Sequence, residues 1–154
     1  MIEAFLILNK LGLLRFLKIY TESEENLDKE DLVKRVGQLI LSSKETHIIF
    51  DFDYCGTKRK LVFRLFGSIY LVMIIDELEN ELAMLDFINV VMGVLDDVFK
   101  GVCELHLIMN PEKVYFLVDE MISGGYVIET SRAEITANYL DKMKDDDNYK
   151  FFAK

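Results

Sequence analysis

The residues in this chain best equipped for chemistry are two histidines, two cysteines and a few acidic pairs, and their spacing argues against catalysis. His47 and His106 stand apart, each without the i, i+4 partner that a helical zinc site needs. Asp51 and Asp53 are two residues apart on a presumed strand, so they point the same way, as a pair of catalytic carboxylates would. The same placement describes the solvent face of an edge strand, which is the favoured reading. Cys103 has a possible base three residues on, at His106, but its neighbours Val102, Leu105 and Leu107 favour a buried thiol. Gly124-Gly125 follows a helical pattern, whereas a phosphate-binding loop precedes one, so the pair reads as a helix C-cap. Asp145-Asp146-Asp147 is a solvated charge run. No P-loop and no G-x-S-x-G elbow occurs. The expectation is a protein that is not an enzyme and takes no metal and no cofactor.

The composition bounds the rest. A chain of 154 residues, 51% of them apolar, is long enough for one domain with a real core. Cys55 and Cys103 show no C-x-x-C spacing, which suits a reducing compartment with both thiols acting as small buried hydrophobes. The balance of 18 basic against 27 acidic side chains gives a formal charge of -9, a poor match for nucleic acid or an anionic membrane. Glu3, Lys10, Arg15 and Lys18 interrupt the apolar N-terminal stretch, so no signal-peptide core forms there. The uncharged run from Leu65 to Ile75 is too short to span a bilayer. A soluble, cytoplasmic protein is expected.

The elements follow from periodicity. Met1–Asn9 and Leu13–Tyr20 are rich in β-formers, and Asn9-Lys10-Leu11-Gly12 between them predicts a hairpin with Gly12 at positive φ. Leu32, Val33, Val36, Leu39 and Ile40 form a helical stripe, for which Asn26 is the expected N-cap. His47–Asp53, Lys60–Leu65 and Ser68–Asp76 predict three strands, the last apolar throughout and therefore central. Asp76 with Glu79 resembles a capping box, and Leu78, Leu82, Leu85, Val91, Met92, Leu95, Val98 and Phe99 are the expected stripe of a long helix. Asn110-Pro111 opens another helix, ending at Gly124-Gly125, and Ser131-Arg132-Ala133-Glu134 opens a short C-terminal one. The order ββαβββαα plus a terminal helix predicts an α+β fold with an antiparallel meander. Phe63, Phe66, Met84 and Phe87 are expected to exceed what one small core covers.

Four blocks carry a family resemblance. Met1-Ile2 with Phe5-Leu6-Ile7-Leu8-Asn9-Lys10, Gly12, Arg15-Phe16, Lys18 and Tyr20 resembles the first hairpin of the small (sigma) chains of clathrin adaptor complexes. Val62-Phe63-Arg64 with Phe66-Gly67-Ser68-Ile69-Tyr70 is similar to their paired central strands. Phe99-x-x-Val102-Cys103-Glu104-Leu105 and Lys113-Val114-Tyr115 with Asp119-Glu120-Met121 resemble the segment after their long helix, and Gly124-Gly125-x-Val127-x-Glu129-Thr130-Ser131 closes the match. The coatomer's zeta subunits share the fold, but the Phe99–Leu105 run is more similar to a sigma chain. Leu65 stands where many sigma chains carry a second basic residue, His106 replaces a common aspartate, and the loop Asp51–Lys60 is longer than usual.

The resemblance implies a longin-like fold over residues 1–144, a five-stranded antiparallel sheet sandwiched by helices, with 145–154 as a charged, frayed tail. It implies a small subunit of a heterotetramer, paired with the helical trunk of a large subunit alongside a second large subunit and a medium chain. Such a complex lies peripherally on coated-vesicle or Golgi, endosomal or plasma membranes and recognises acidic dileucine signals, Asp/Glu-x-x-x-Leu-Leu/Ile, in cargo tails. Carried onto this sequence, the leucine pocket comprises Phe66, Gly67, Ile69, Met92, Val102, Cys103, Leu105 and Leu107, and Arg15 is the contact for the acidic residue. Met92 is bulkier than the valine-like residue usual there. Read without the resemblance, the same apolar residues are core, and Arg15 is a charge oddly placed between Leu13 and Leu17. The alternatives are a purely structural longin-fold subunit of a related coat, or a longin regulatory module without cargo binding.

Overall fold

The computed structural model describes residues 1–21, 27–43 and 47–153. Strands β1 (Ile2–Asn9), β2 (Leu14–Ile19), β3 (Ile48–Tyr54), β4 (Thr57–Phe66) and β5 (Ile69–Ile75) form one five-stranded sheet in the order β2-β1-β5-β4-β3, every pair antiparallel. The α+β, longin-like architecture is the expected one. All eight residues of β1 are buried, as are six of the seven in β5, which suits the middle of a sheet covered on both faces. Asp51 and Asp53 lie exposed on edge strand β3, as their spacing predicts.

The sheet divides two apolar layers. Helix α1 (Lys29–Ser42) packs Leu32, Val36 and Ile40 on Ala4, Leu6, Leu61, Phe63 and Val72. Its cap is Asp28, whose side chain accepts from Asp31 N–H at 3.1 Å; Asn26 lies outside the described residues. The opposite face carries α2 (Glu81–Phe99), α3 (Glu104–Met109), α4 (Pro111–Met121) and α5 (Arg132–Ala153). Phe63, Met84 and Phe87 are 4%, 6% and 4% exposed, so the two layers cover residues expected to exceed one core; Phe66 is half-buried.

Several expectations are corrected. Helix α2 starts a turn later than Asp76, capped by Asn80, which accepts from the backbone N–H of Leu82 and Ala83. Asp76 instead closes the preceding turn by accepting from Glu79 N–H. Leu78 and Leu82 are therefore exposed, and Met84, Leu85, Phe87, Ile88, Val91, Met92, Val94 and Leu95 form the buried stripe. Gly124-Gly125 is no helix cap. It is the two-residue turn of a small hairpin, β6 (Ile122–Ser123) and β7 (Tyr126–Val127), with both glycines at positive φ. Helix α5 runs to Ala153, beyond the short helix expected, so the charged segment from Asp145 carries helical backbone. Both cysteines, expected buried, are exposed; Cys55 sits with Gly56 in the positive-φ turn between β3 and β4.

Candidate functional site

The residues singled out for the pocket gather at one end of the sheet, on its α2 side. Phe66 and Ile69 flank the β4–β5 turn, where Gly67 takes φ 60, and Ile69 pairs in turn with Asn9 of β1. Lys60 at the opposite end of β4 bonds Glu81 at the start of α2, so helix and strand run alongside and α2 ends near Phe66. There Lys100 and Gly101, both at positive φ, stop the helix. Asp96 then accepts from Val102 N–H at 2.9 Å and fixes the entry to α3.

Helix α3 is absent from the sequence-level element order, and its start explains an odd residue. His106 Nδ1 accepts from Cys103 N–H at 3.1 Å, so the imidazole fills the role a carboxylate plays in a capping box. The ring stacks on Phe99 at 5.4 Å. Cys103 Sγ lies 3.5 Å from the same nitrogen, which the backbone N–H already occupies. This exposed thiol is a capping residue beside a ring acceptor.

The pocket set splits by burial. Ile69, Met92 and Leu107 belong to the core at 1%, 9% and 1% exposure. Phe66 and Val102 pack half-buried against them, while Gly67, Cys103 and Leu105 are exposed, Leu105 at 62%. The apolar members therefore divide between the α2-side core and its exposed edge.

Arg15 has a physical explanation. Ile7 faces Phe16 and Leu8 faces Leu14, so Arg15 is the extra residue of a β-bulge and escapes strict alternation. Its Nε donates to Glu104 Oε1 at 2.7 Å, and Asn9 Nδ2 donates to the same oxygen at 2.9 Å. These bonds hold the Glu104 carboxyl below its usual pKa, Asn9 contributing most. Asn9 Oδ1 in turn accepts from Leu11 and Leu13 N–H, tying α3 to the hairpin. Sequence reading missed Glu104 and Asn9 as a unit because they are 95 residues apart.

Among the described residues no group of acidic, histidine and cysteine side chains is arranged to hold a metal ion. No described helix is long and apolar enough to cross a membrane. A separate cleft of about 430 Å³ lies on the α1 side, lined by Gly12, Leu13, Leu14 and Val33 among others.

The chain as a whole is similar to known proteins. A family model described as the clathrin adaptor complex small chain matches residues 1–146. The AP-3 complex subunit sigma of Arabidopsis thaliana is 35% identical over 137 residues, covering 88% of this chain and 82% of the relative. The human AP-3 complex subunit sigma-2 is 34% identical, covering 94% and 78%, and the human AP-4 complex subunit sigma-1 is 34% identical, covering 94% and 99%. Among structures, a chain in a homology model of the full-length AP-3 complex in a stretched open conformation superposes with a TM-score of 0.70 at 28% identity, covering 97% of this chain and 99% of that one.

Proposed function

This chain belongs to the clathrin adaptor complex small-chain family, and we propose that it acts in vesicle traffic by helping its complex bind acidic dileucine signals in cargo tails. It is a sigma-type adaptor subunit, of the kind represented by the AP-3 and AP-4 relatives. Its partners in this reading are a large-subunit trunk, a second large subunit and a medium chain. It works on the cytoplasmic side and reaches membranes only through that assembly. Exposed Leu11, Leu78, Leu82 and Met109 offer apolar surface for neighbouring subunits to cover.

The observation that carries the cargo reading is the convergence of Phe66, Ile69, Met92, Val102 and Leu107 on one apolar cluster, with exposed Leu105 beside it. Burying two signal leucines there contributes roughly 1.5–3 kcal/mol each. Ordering a flexible tail opposes this, which leaves affinity on the order of micromolar. Weak contacts suit a coat that gathers cargo through many of them.

Two experiments test the reading. Co-expression with large and medium chains should return a stoichiometric complex; a monodisperse monomer that ignores the trunk would sink the subunit assignment. In the assembled complex, Val102→Asp should abolish binding of an acidic dileucine peptide, because a carboxylate would face the leucines desolvated. Unchanged affinity in a correctly assembled complex would leave the chain a scaffold.

A further inference from the structure

The start of α3 is held by a histidine. The helix has only six residues, so few bonds within it offset the N–H groups left free at its start, and the cap carries much of the burden. His106 Nδ1 accepts from Cys103 N–H at 3.1 Å, and His106 N–H donates back to the Cys103 carbonyl at 3.1 Å. At the other end Asn110 bonds the His106 carbonyl through its backbone N–H and its Nδ2. One residue thus ties both ends of the helix.

A ring nitrogen that accepts from an N–H carries no proton, so this geometry requires the neutral ring with its proton on Nε2. Stacking on Phe99, with the ring planes 15° apart, holds that orientation. Protonation makes Nδ1 a donor facing a donor. It also sets a full positive charge among the free N–H groups of a helix start, which are themselves partly positive. Cys103 Sγ, 3.5 Å from the same nitrogen, is a weak acceptor and offsets little of this.

The charged groups on the surrounding elements are engaged elsewhere or exposed. Asp96 and Asp97 of α2 are taken by Val102 N–H and by Arg132, and Lys100 is the exposed cap that ends that helix. Glu104 pairs with Arg15 of β2 rather than with the ring. Asn9 and Arg15 hold its carboxyl below the ordinary value, so it stays ionised where imidazoles titrate. Glu112 and Lys113 lie exposed in the first turn of α4. His47, the chain's other histidine, packs edge-on against Phe63 beside the opposite edge of the sheet.

We propose that α3 is an acid-sensitive element, in which protonation of His106 below about pH 7 frays the start of the helix. The sign follows from the bond. The neutral ring caps, so the stabilisation is present at neutral pH and is lost as pH falls and the ring protonates. Helix α3 carries Leu107 into the α2-side core and Glu104 against the β1–β2 hairpin, so fraying loosens this end of the sheet and leaves the α1 side untouched. The response does not depend on cargo.

Hydrogen exchange of the assembled complex, followed by mass spectrometry at about pH 7.5 and about pH 5.5 and corrected for the intrinsic rate, reads the cap directly. In the wild type, segment 102–109 should lose about fivefold in protection in acid, the worth of one capping interaction, while α4 keeps its own. Exchange of the imidazole C2 proton should titrate His106 with the same midpoint as that loss. His106→Gln and His106→Asp both keep an acceptor oxygen across this window, so both should hold protection constant. Constant protection in the wild type overturns the proposal. An equal acid loss in the variants does so too, by assigning the effect to another group. A His106 midpoint apart from the loss, or a loss that spreads over α4 and the sheet, is equally fatal. Should neither variant assemble, the two wild-type midpoints decide alone.

Discussion

Arg59 Nε donates to Glu3 Oε2 at 2.8 Å, pairing the guanidinium with a carboxylate only 6% exposed at the start of β1. Glu3 is there because β1 bulges: Ile2 faces Ile75 and Ala4 faces Ile74, with Glu3 as the extra residue. Arg59→Ala would strand that carboxylate, so we expect a loss of about 1.5–3 kcal/mol, read as a lower denaturation midpoint. Arg59→Lys should recover part of it. Equal stability in all three proteins would show that Glu3 does not depend on this partner.

The depressed pKa of Glu104 gives a pH test. A carboxyl held below its ordinary value of 4.5 by Asn9 and Arg15 stabilises the fold above that value. The contribution fades as pH falls through the depressed folded value, since protonation weakens the bonds Glu104 accepts. Glu104→Gln should therefore melt below wild type at neutral pH, with the gap closing in acid. Hydrogen exchange in α3 should follow the same course. A gap independent of pH would assign the effect to packing instead.

Gly125 meets the backbone of β1. Ile2 N–H donates to its carbonyl at 2.7 Å, and a Cβ on Gly125, at φ 89, would collide with the Ile2 carbonyl oxygen. Gly124 has φ 57 and open space around its missing side chain. Gly125→Ala should cost at least about 1–2 kcal/mol from the backbone conformation alone. Gly124→Asn should cost far less, because asparagine tolerates this region. Thermal melts of the two variants decide it, and similar losses would contradict the close approach.

How far the sequence reaches is visible in these residues. The uninterrupted apolar run of β5 predicts a central strand, and Gly12 after Asn9-Lys10-Leu11 predicts the hairpin turn, because both signals are local. The start of α2 misleads because Asp76 and Asn80 are both good capping residues four apart, and only Asn80 caps two helical N–H groups. Choosing Asp76 brings Leu78 and Leu82 into the stripe and drops Met84, Phe87 and Ile88. Gly124-Gly125 suits a helix end and a hairpin equally, and the closing Ile122–Val127 pairing is what separates them. At the site, alternation gave no account of Arg15, because a bulge is a property of two strands in register. Cys103 has apolar neighbours in sequence yet is exposed, because α3 turns only Leu107 fully inward.

The family resemblance implies a leucine pocket with both Leu105 and Leu107, and the two differ sharply in burial. Leu107 is 1% exposed within the core beneath α2, so Leu107→Ala should destabilise by about 2–5 kcal/mol, as large-to-small core changes do. Leu105 is 62% exposed on the outer side of the same short helix, and truncating it should change stability by no more than about 0.5 kcal/mol. If the rim of this cluster receives the signal, Leu105→Ala should still weaken the dileucine peptide severalfold in the assembled complex, with assembly and melting unchanged. Leu107→Ala would weaken binding only in step with its loss of stability. Calorimetric titration of the peptide into each complex, beside a melt of the same preparation, distinguishes the two. Full affinity in Leu105→Ala would remove α3 from the binding surface and confine any pocket to Phe66, Val102 and the β4–β5 turn.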